Sequence, residues 1–140
     1  MFRVKTLHTV HMAKTQRRLT GDLGETIACG FLERQGFTII ERNYQRPWGE
    51  IDIIAVKEGV VRFVEVKTLS RETLPDVSRE NSAYRPEEQV HPAKLRRICR
   101  TAEMYMNAKA DDREYQVDVV GVYLSEAQRV ARCRLFEQVL

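Results

Sequence analysis

The chain has 140 residues, of which 43% are hydrophobic and 31% charged, so its composition is that of one ordinary globular domain and not of a disordered segment. Its formal net charge of +3 weakly favours polyanionic partners. No apolar run is long enough to span a membrane, and no apolar core of an N-terminal secretory signal is present. The sequence therefore predicts no membrane partner and a cytoplasmic location. Three widely spaced cysteines without a CxxC pattern argue against a disulfide framework or a zinc site.

Residues 1–18 contain five basic side chains and no acidic one. This composition predicts a flexible basic arm, followed by a single domain over residues 19–140. Arg17 and Arg18 lie next to the domain, where they are candidates for contact with a phosphate backbone. An unstructured terminus without a task is the alternative for the first part of the arm.

The first predicted element is a helix that starts at Thr20, its N-cap, and ends before Gly36. Its apolar residues occupy one arc of the helix, and Glu25 falls inside that arc. An acidic side chain is favourable near a helix N-terminus, which gives Glu25 an ordinary structural explanation. The alternative is that Glu25 points to a cation shared with acids on the strands that follow.

Residues 37–41 predict the first strand and residues 42–48 a loop, in which Trp48 either packs locally or stacks on an unpaired base. Residues 49–67 then predict two antiparallel strands, because two alternating, β-branched runs meet at Glu58-Gly59, a two-residue loop with glycine second.

The hairpin register places Ile54 opposite Phe63, Asp52 opposite Glu65, and Lys67 on the same face as both acids. Two opposed carboxylates repel each other, and burying them adds a desolvation cost. A divalent cation between them removes the repulsion, and Mg²⁺ suits the pair because it needs only one or two carboxylates. Lys67 beside such an ion can stabilise a phosphate or the attacking water. A solvated hairpin face with incidental charges is the alternative.

After residue 69 the regular pattern stops, and residues 69–92 predict a loop near the active face. A second helix is predicted over residues 93–108, with Pro92 at its first position. Its basic side chains lie away from the apolar stripe and predict contact with a phosphate backbone, with a solvated face as the alternative. These side chains are Lys94, Arg96, Arg97 and Arg100.

The C-terminal part predicts two strands. Residues 115–124 are apolar on both faces, which is typical of a central strand, and Asp118 within them is assigned a structural role. Residues 130–136 alternate in polarity and predict an edge strand.

Four pieces of the sequence, GDLGE (21–25), Asn43, GEIDII (49–54) and FVEVKT (63–68), resemble the YraN-type family. That family is similar to archaeal Holliday-junction resolvases and to the PD-(D/E)xK nuclease superfamily. The resemblance runs from about Gly21 to about Tyr123. It implies an α/β fold with a restriction-endonuclease-like core, in which a central mixed sheet is flanked by helices in the order α-β-β-β-α-β plus a C-terminal edge strand. It also favours the cation as the target of Glu25.

The resemblance further implies a metal-dependent endonuclease that hydrolyses phosphodiester bonds of structured or branched DNA, with Mg²⁺ or Mn²⁺ as the cofactor. Asp52, Glu65 and the backbone carbonyl of Val66 would ligate the ion, Glu25 would ligate it directly or through water, and Lys67 would orient the attacking water. A nucleic-acid-binding module with the same fold and no turnover is the alternative, followed by an assembly domain that uses the edge strand at 130–136. A homodimer is expected by analogy, because a four-way junction presents two scissile strands.

Overall fold

The computed structural model describes residues 2–3, 13–70, 90–125, 127 and 129–140, and the side chains of 2–3 and 13–19 are not part of this description. Most of the predicted loop at 69–92 lies outside the described residues. The predicted α/β architecture is confirmed. Its elements in chain order are β1 (Phe2–Arg3), α1 (Ala13–Arg34), β2 (Thr38–Arg46), β3 (Gly49–Lys57), β4 (Val60–Ser70), α2 (Pro92–Ala108), β5 (Tyr115–Ser125) and β6 (Val130–Phe136).

The strands form one mixed sheet in the order β1-β6-β5-β4-β3-β2. Neighbouring strands are antiparallel except β4 and β5, which are parallel and are joined by the crossover that contains α2. β5 is central and buried from Val117 to Ser125, as its two apolar faces predicted. None of the helices in the described ranges is both long and apolar enough to cross a bilayer.

A helix covers each face of the sheet, and the described residues form a hydrophobic core on each of the two faces. Ile27, Ala28 and Leu32 of α1 pack with residues such as Ile53 and Val64 of the sheet. On the opposite face, residues of α2 including Ile98, Ala102 and Tyr105 pack with Ile54 and Phe63. Neighbouring residues of β3 thus point to opposite cores, as expected for a strand covered on both faces.

The ends of α1 agree only in part with the sequence prediction. The helix ends as predicted: Gly36 has a φ of 91°, and the Gly36 and Phe37 N–H groups donate to the carbonyls of Glu33 and Leu32, which is a Schellman cap. The predicted start at Thr20 is wrong, because the helix begins at Ala13. Residues 13–19 are mostly strong helix formers, so the helix extends into the segment assigned to the basic arm. The flexibility of the arm stays a prediction.

The β2–β3 connection is tighter than predicted. The sequence assigned residues 42–48 to a loop, but β2 continues to Arg46 and pairs there with Gly49, which leaves only Pro47 and Trp48 in the turn. The continuation is explained by Tyr44, a buried side chain whose ring lies edge-on to that of Tyr105, with 5.3 Å between the centroids.

The β3–β4 hairpin and β6 match their predictions. Glu58 and Gly59 both have positive φ, as a two-residue hairpin turn requires, and Ile54 pairs with Phe63. β6 has the predicted bounds, and β1 adds two residues along its outer side. Asp118 is fully buried and accepts hydrogen bonds from Arg62, Gln116 and the Gln138 N–H, which supports its structural role.

Candidate functional site

The two hairpin strands diverge where the acids lie. Their ladder ends one pair before Asp52 and Glu65, because β4 continues beside β5 to Ser70 while β3 continues beside β2. The predicted backbone pair of Asp52 with Glu65 is therefore wrong. Asp52, Glu65 and Lys67 therefore do not lie side by side on a flat sheet. They line a space between the diverging strands.

Asp52 lies at the point of divergence and is held there by the backbone. Its Oδ2 accepts a hydrogen bond of 2.8 Å from the Val66 N–H. Asn43 of β2 lies opposite Asp52 and has a φ of 51°, a left-handed conformation that asparagine adopts more readily than most residues. The residues of β3 on either side of Asp52 face different helices: Ile51 packs in the α2 core and Ile53 packs in the α1 core. The charge of Asp52 acts on Glu25 of α1 and on Lys94 of α2.

Helix α1 brings Glu25 to the same place by a close approach to β4. A Cβ at Gly24 would overlap the hydroxyl of Thr68, so only glycine allows the helix to come this near. Glu25, the next residue, is half-buried and lies close enough to the Asp52 carboxylate for the two acids to interact electrostatically.

The electrostatic state of Glu25 reflects its burial. Burial, followed by the charge of the neighbouring Asp52, raises the pKa of Glu25 to about 7. Its Oε2 is buried and has no hydrogen-bond partner among the described residues. A buried carboxylate oxygen without a partner costs free energy, so this atom is a candidate for an interaction with a cation.

Glu65 is the most buried of the three acids, with 4% of its surface exposed. Burial and then the charge of Asp52 raise the pKa of Glu65 to about 7, although an ion pair with Lys94 acts in the opposite direction. The same ion pair raises the pKa of Lys94 against the effect of its own partial burial. Lys94 therefore offsets one negative charge of the cluster.

These residues line one cavity of about 540 Å³, which we call the acid cleft. Its walls hold the three carboxylates together with the two lysines and several hydroxyl groups. Lys67 makes no hydrogen bond or ion pair with any residue that the structure describes. The residues lining the acid cleft are Thr20, Gly21, Glu25, Asp52, Glu65, Val66, Lys67, Thr68, Ser70 and Lys94.

The side chains do not form a complete metal cage by themselves. Within the described ranges, no group of three or more His, Cys, Asp or Glu side chains is arranged to hold a metal ion. Mg²⁺ does not require such a cage, because it keeps several water ligands and uses only one or two carboxylates. Asp52 and Glu65 therefore suffice in number.

The residues predicted to bind nucleic acid do not form one continuous surface. Lys94 lines the acid cleft, and Arg97 lines a neighbouring cavity with Trp48. Arg96 and Arg100 line a third cavity near the start of β5 and the C-terminus. The backbones of Arg17 and Arg18 lie in α1, within one helical turn of Thr20, and their side chains lie outside the description. The single basic face predicted for α2 is thus divided among three cavities.

Two features of the site were not found in the sequence. The ion pair of Lys94 with Glu65 joins a helix to a strand that lies far away in the chain, so no spacing pattern reveals it. The sequence singles out Asn43 only through the resemblance, whereas in the structure it has a left-handed conformation opposite Asp52. An asparagine between two strand-forming runs is the signal that could have indicated a left-handed residue.

Comparison with known proteins identifies the family of this chain. The model of the "Uncharacterised protein family UPF0102" matches residues 24–122, a range that contains the three acids, Lys67 and Lys94. The chain belongs to the UPF0102 family. This result confirms the resemblance to the YraN-type proteins, which are the same family.

Similar UPF0102 proteins occur in several bacteria. The one from Sulfurovum sp. (strain NBC37-1) is 36% identical over 119 residues, which cover 84% of this chain and 96% of that protein. The one from Moorella thermoacetica is 37% identical over 121 residues, covering 86% and 92%. The one from Helicobacter pylori (strain J99) is 37% identical over 107 residues, covering 76% and 83%.

Proposed function

We propose that the protein is a metal-dependent endonuclease of the PD-(D/E)xK type that hydrolyses phosphodiester bonds of structured or branched DNA. The observation that carries the proposal is the convergence of Glu25, Asp52 and Glu65 on one cleft, with Lys67 on its wall. The three acids come from a helix and two strands. Their burial is costly for the ionised forms, so a purely structural role does not explain why the fold collects them.

The donor atoms fit Mg²⁺ or Mn²⁺, which prefer oxygen ligands. Asp52 and Glu65 would supply the carboxylates, the backbone carbonyl of Val66 would be a further ligand, and Glu25 would ligate directly or through water. The partnerless Oε2 of Glu25 supports this assignment. When bound, the ion would supply positive charge that stabilises the charge developing on the scissile phosphate.

The two lysines of the acid cleft would have different roles: Lys67 would contact the substrate, and Lys94 contacts Glu65 of the protein itself. Lys67, without a partner in the described part of the chain, is available to hold a phosphate oxygen and to orient the attacking water. Lys94 orients the Glu65 carboxylate through their ion pair and reduces the repulsion among the acids. The arginines would bind the phosphate backbone on either side of the cleft: these are Arg17, Arg18, Arg96, Arg97 and Arg100.

The proposal is tested by incubating the protein with branched, flapped and linear DNAs in the presence of Mg²⁺ or Mn²⁺. We expect metal-dependent cleavage that Lys67→Ala reduces by about 100- to 1,000-fold, the loss typical of removing one group that stabilises a transition state. Lys57→Ala is the matched control, because Lys57 lies at the hairpin end of β3 and contacts the Phe37 ring. Equal cleavage by the wild type and Lys67→Ala would identify a contaminating nuclease and reject the assignment.

A nucleic-acid-binding module without turnover is the second candidate. It is favoured by the ion pair of Lys94 with Glu65, which occupies a carboxylate that a metal ion needs. This candidate predicts that wild-type protein cuts no DNA of the panel with either metal and that Asp52→Asn binds DNA as well as the wild type does.

A homodimer belongs to the same proposal by analogy with resolvases. In the described part of the sheet, β2 is the outermost strand on its side and offers an edge for pairing. Light scattering coupled to size-exclusion chromatography at high protein concentration tests this point, and a monomer would reject it.

A further inference from the structure

A second cavity of about 450 Å³ adjoins the acid cleft, and we call it the turn cleft. It lies between the β2–β3 turn and α2, and Lys94 lines both cavities. Trp48 and Arg97 line the turn cleft but not the acid cleft. Because strand residues rise by about 3.3 Å each, Trp48 lies roughly 13 Å along β3 from Asp52, a distance on the scale of one or two nucleotides.

Trp48 is an exposed aromatic on a rigid support. It is 43% exposed although indole rings are usually well buried. The turn packs closely against α2, since a Cβ at Gly49 would overlap the hydroxyl of Thr101. Arg46 is fixed too: its guanidinium lies 4.3 Å from the Tyr44 ring centroid and donates to the Gln45 carbonyl. The cavity beside Trp48 is therefore built by packing and does not depend on a loose loop.

Arg97 supplies the charge that complements the indole. Its side chain makes no hydrogen bond or ion pair with any described residue, whereas Lys94, its neighbour one turn away, is paired with Glu65. A guanidinium and an exposed aromatic ring in one groove are the features with which proteins bind single-stranded nucleic acid: the ring stacks on a base and the cation binds a phosphate. Inside a continuous duplex both faces of each base are already stacked on neighbouring bases, so Trp48 can stack there only on a base that is unpaired and unstacked.

We propose that the turn cleft binds one unpaired nucleobase of a DNA strand whose phosphate lies in the acid cleft. Trp48 stacks on the base and Arg97 binds the phosphate next to it. This inference rests on the proposed function and narrows its substrate class: the site takes DNA with an unpaired nucleotide within one or two positions of the scissile bond, as in flaps and forks, and discriminates against continuous duplex.

The test uses the fact that Trp48 is the only tryptophan of the chain, so its fluorescence reports on this cleft alone. A short thymidine oligonucleotide, an abasic oligonucleotide of equal length and a blunt duplex are titrated into the full chain in EDTA, which prevents metal-dependent cleavage. We expect the thymidine oligonucleotide to quench the fluorescence and the abasic one to bind without quenching. Affinities are measured separately by the anisotropy of labelled oligonucleotides.

The variants separate stacking from general effects. Trp48→Ala is expected to weaken binding of the thymidine oligonucleotide by about 5- to 150-fold and to leave binding of the abasic one within about twofold. Arg97→Ala is expected to weaken both. Ile40→Ala, which removes an exposed apolar side chain of β2 that lines neither cleft, is the matched control and should change neither.

Equal affinity of the wild type for the base-bearing and abasic oligonucleotides would overturn the inference, as would absence of binding to all three DNAs. Base-selective binding that depends on Trp48, without cleavage of any DNA in the presence of metal, would leave the base site in place and reject the nuclease. Normal cleavage with no effect of Trp48→Ala on binding would reject the base site alone.

Discussion

The burial of Glu65 makes the stability of the metal-free protein depend on pH. The folded-state pKa of Glu65 is about 7 against an ordinary value of 4.5. Because the folded state holds this proton more tightly than the unfolded state does, the free energy of unfolding falls as pH rises from about 4.5 to 7 and then levels off. The shift corresponds to about 3 kcal/mol, an upper value because Glu65 shares its environment with Asp52.

Glu65→Gln removes the ionisation and keeps the shape of the side chain. The attraction between Lys94 and the ionised Glu65 carboxylate is already part of the folded-state pKa of Glu65, so its loss in the variant adds no separate cost. From pH 5 to pH 8 the wild type is therefore expected to lose up to about 3 kcal/mol of unfolding free energy relative to Glu65→Gln, because only the wild type ionises at this position.

Urea denaturation in EDTA at both pH values measures this difference. Glu103→Gln, at an exposed position of α2, is the control and should show no such change. A difference between Glu65→Gln and the wild type that is independent of pH, or that shifts in favour of the wild type as pH rises, would refute the electrostatic account of the acid cleft.

Three further predictions concern the metal and the packing. Mg²⁺ or Mn²⁺ at about 100 times its dissociation constant should raise the unfolding free energy of the wild type at pH 8 by about 2.7 kcal/mol and that of Asp52→Asn much less; calorimetry showing equal gains would place the ion elsewhere. Gly24→Ala should destabilise the protein by about 1–3 kcal/mol, because the added Cβ overlaps Thr68. Gly21→Ala, which has open space around it, should stabilise the protein by about 0.5–1 kcal/mol. Equal effects of the two variants in urea denaturation would contradict the close approach of α1 to β4. Asp118→Ala should cost about 1–3 kcal/mol, because it leaves the Gln138 N–H without its acceptor and removes one of the two carboxylate partners of the buried Arg62, while Glu137 remains. A thermal midpoint near that of the wild type would exclude the structural role.

The sequence predicted the parts of the fold that depend on local patterns. Alternation around Glu58-Gly59 determined the hairpin register, and Gly36 marked the end of α1, because the turn and the cap each need residues that accept positive φ. The start of α1 could not be read, since residues 13–19 favour a helix without a cap to mark its beginning.

The sequence grouped the acidic side chains that line the acid cleft but not their geometry, and their role stays a prediction. The register brought Asp52 and Glu65 together, yet it assumed that β3 and β4 stay paired, whereas each strand follows a different neighbour in the sheet. That choice depends on β5, more than fifty residues further along the chain, and so does not appear in the hairpin itself. The position of Lys94 likewise depends on how α2 packs against the sheet.

The central claim is that Asp52 and Glu65 hold one divalent cation in the acid cleft, with Glu25 as a direct or water-mediated ligand. Anomalous diffraction from crystals of the protein soaked in Mn²⁺ at pH 8, where the raised pKa values of Glu25 and Glu65 leave both acids ionised, tests this most directly. We predict a single strong peak within ligand distance of the Asp52 and Glu65 carboxylates. A saturated crystal with no peak in the acid cleft, or with Mn²⁺ bound only at other sites, would contradict the claim.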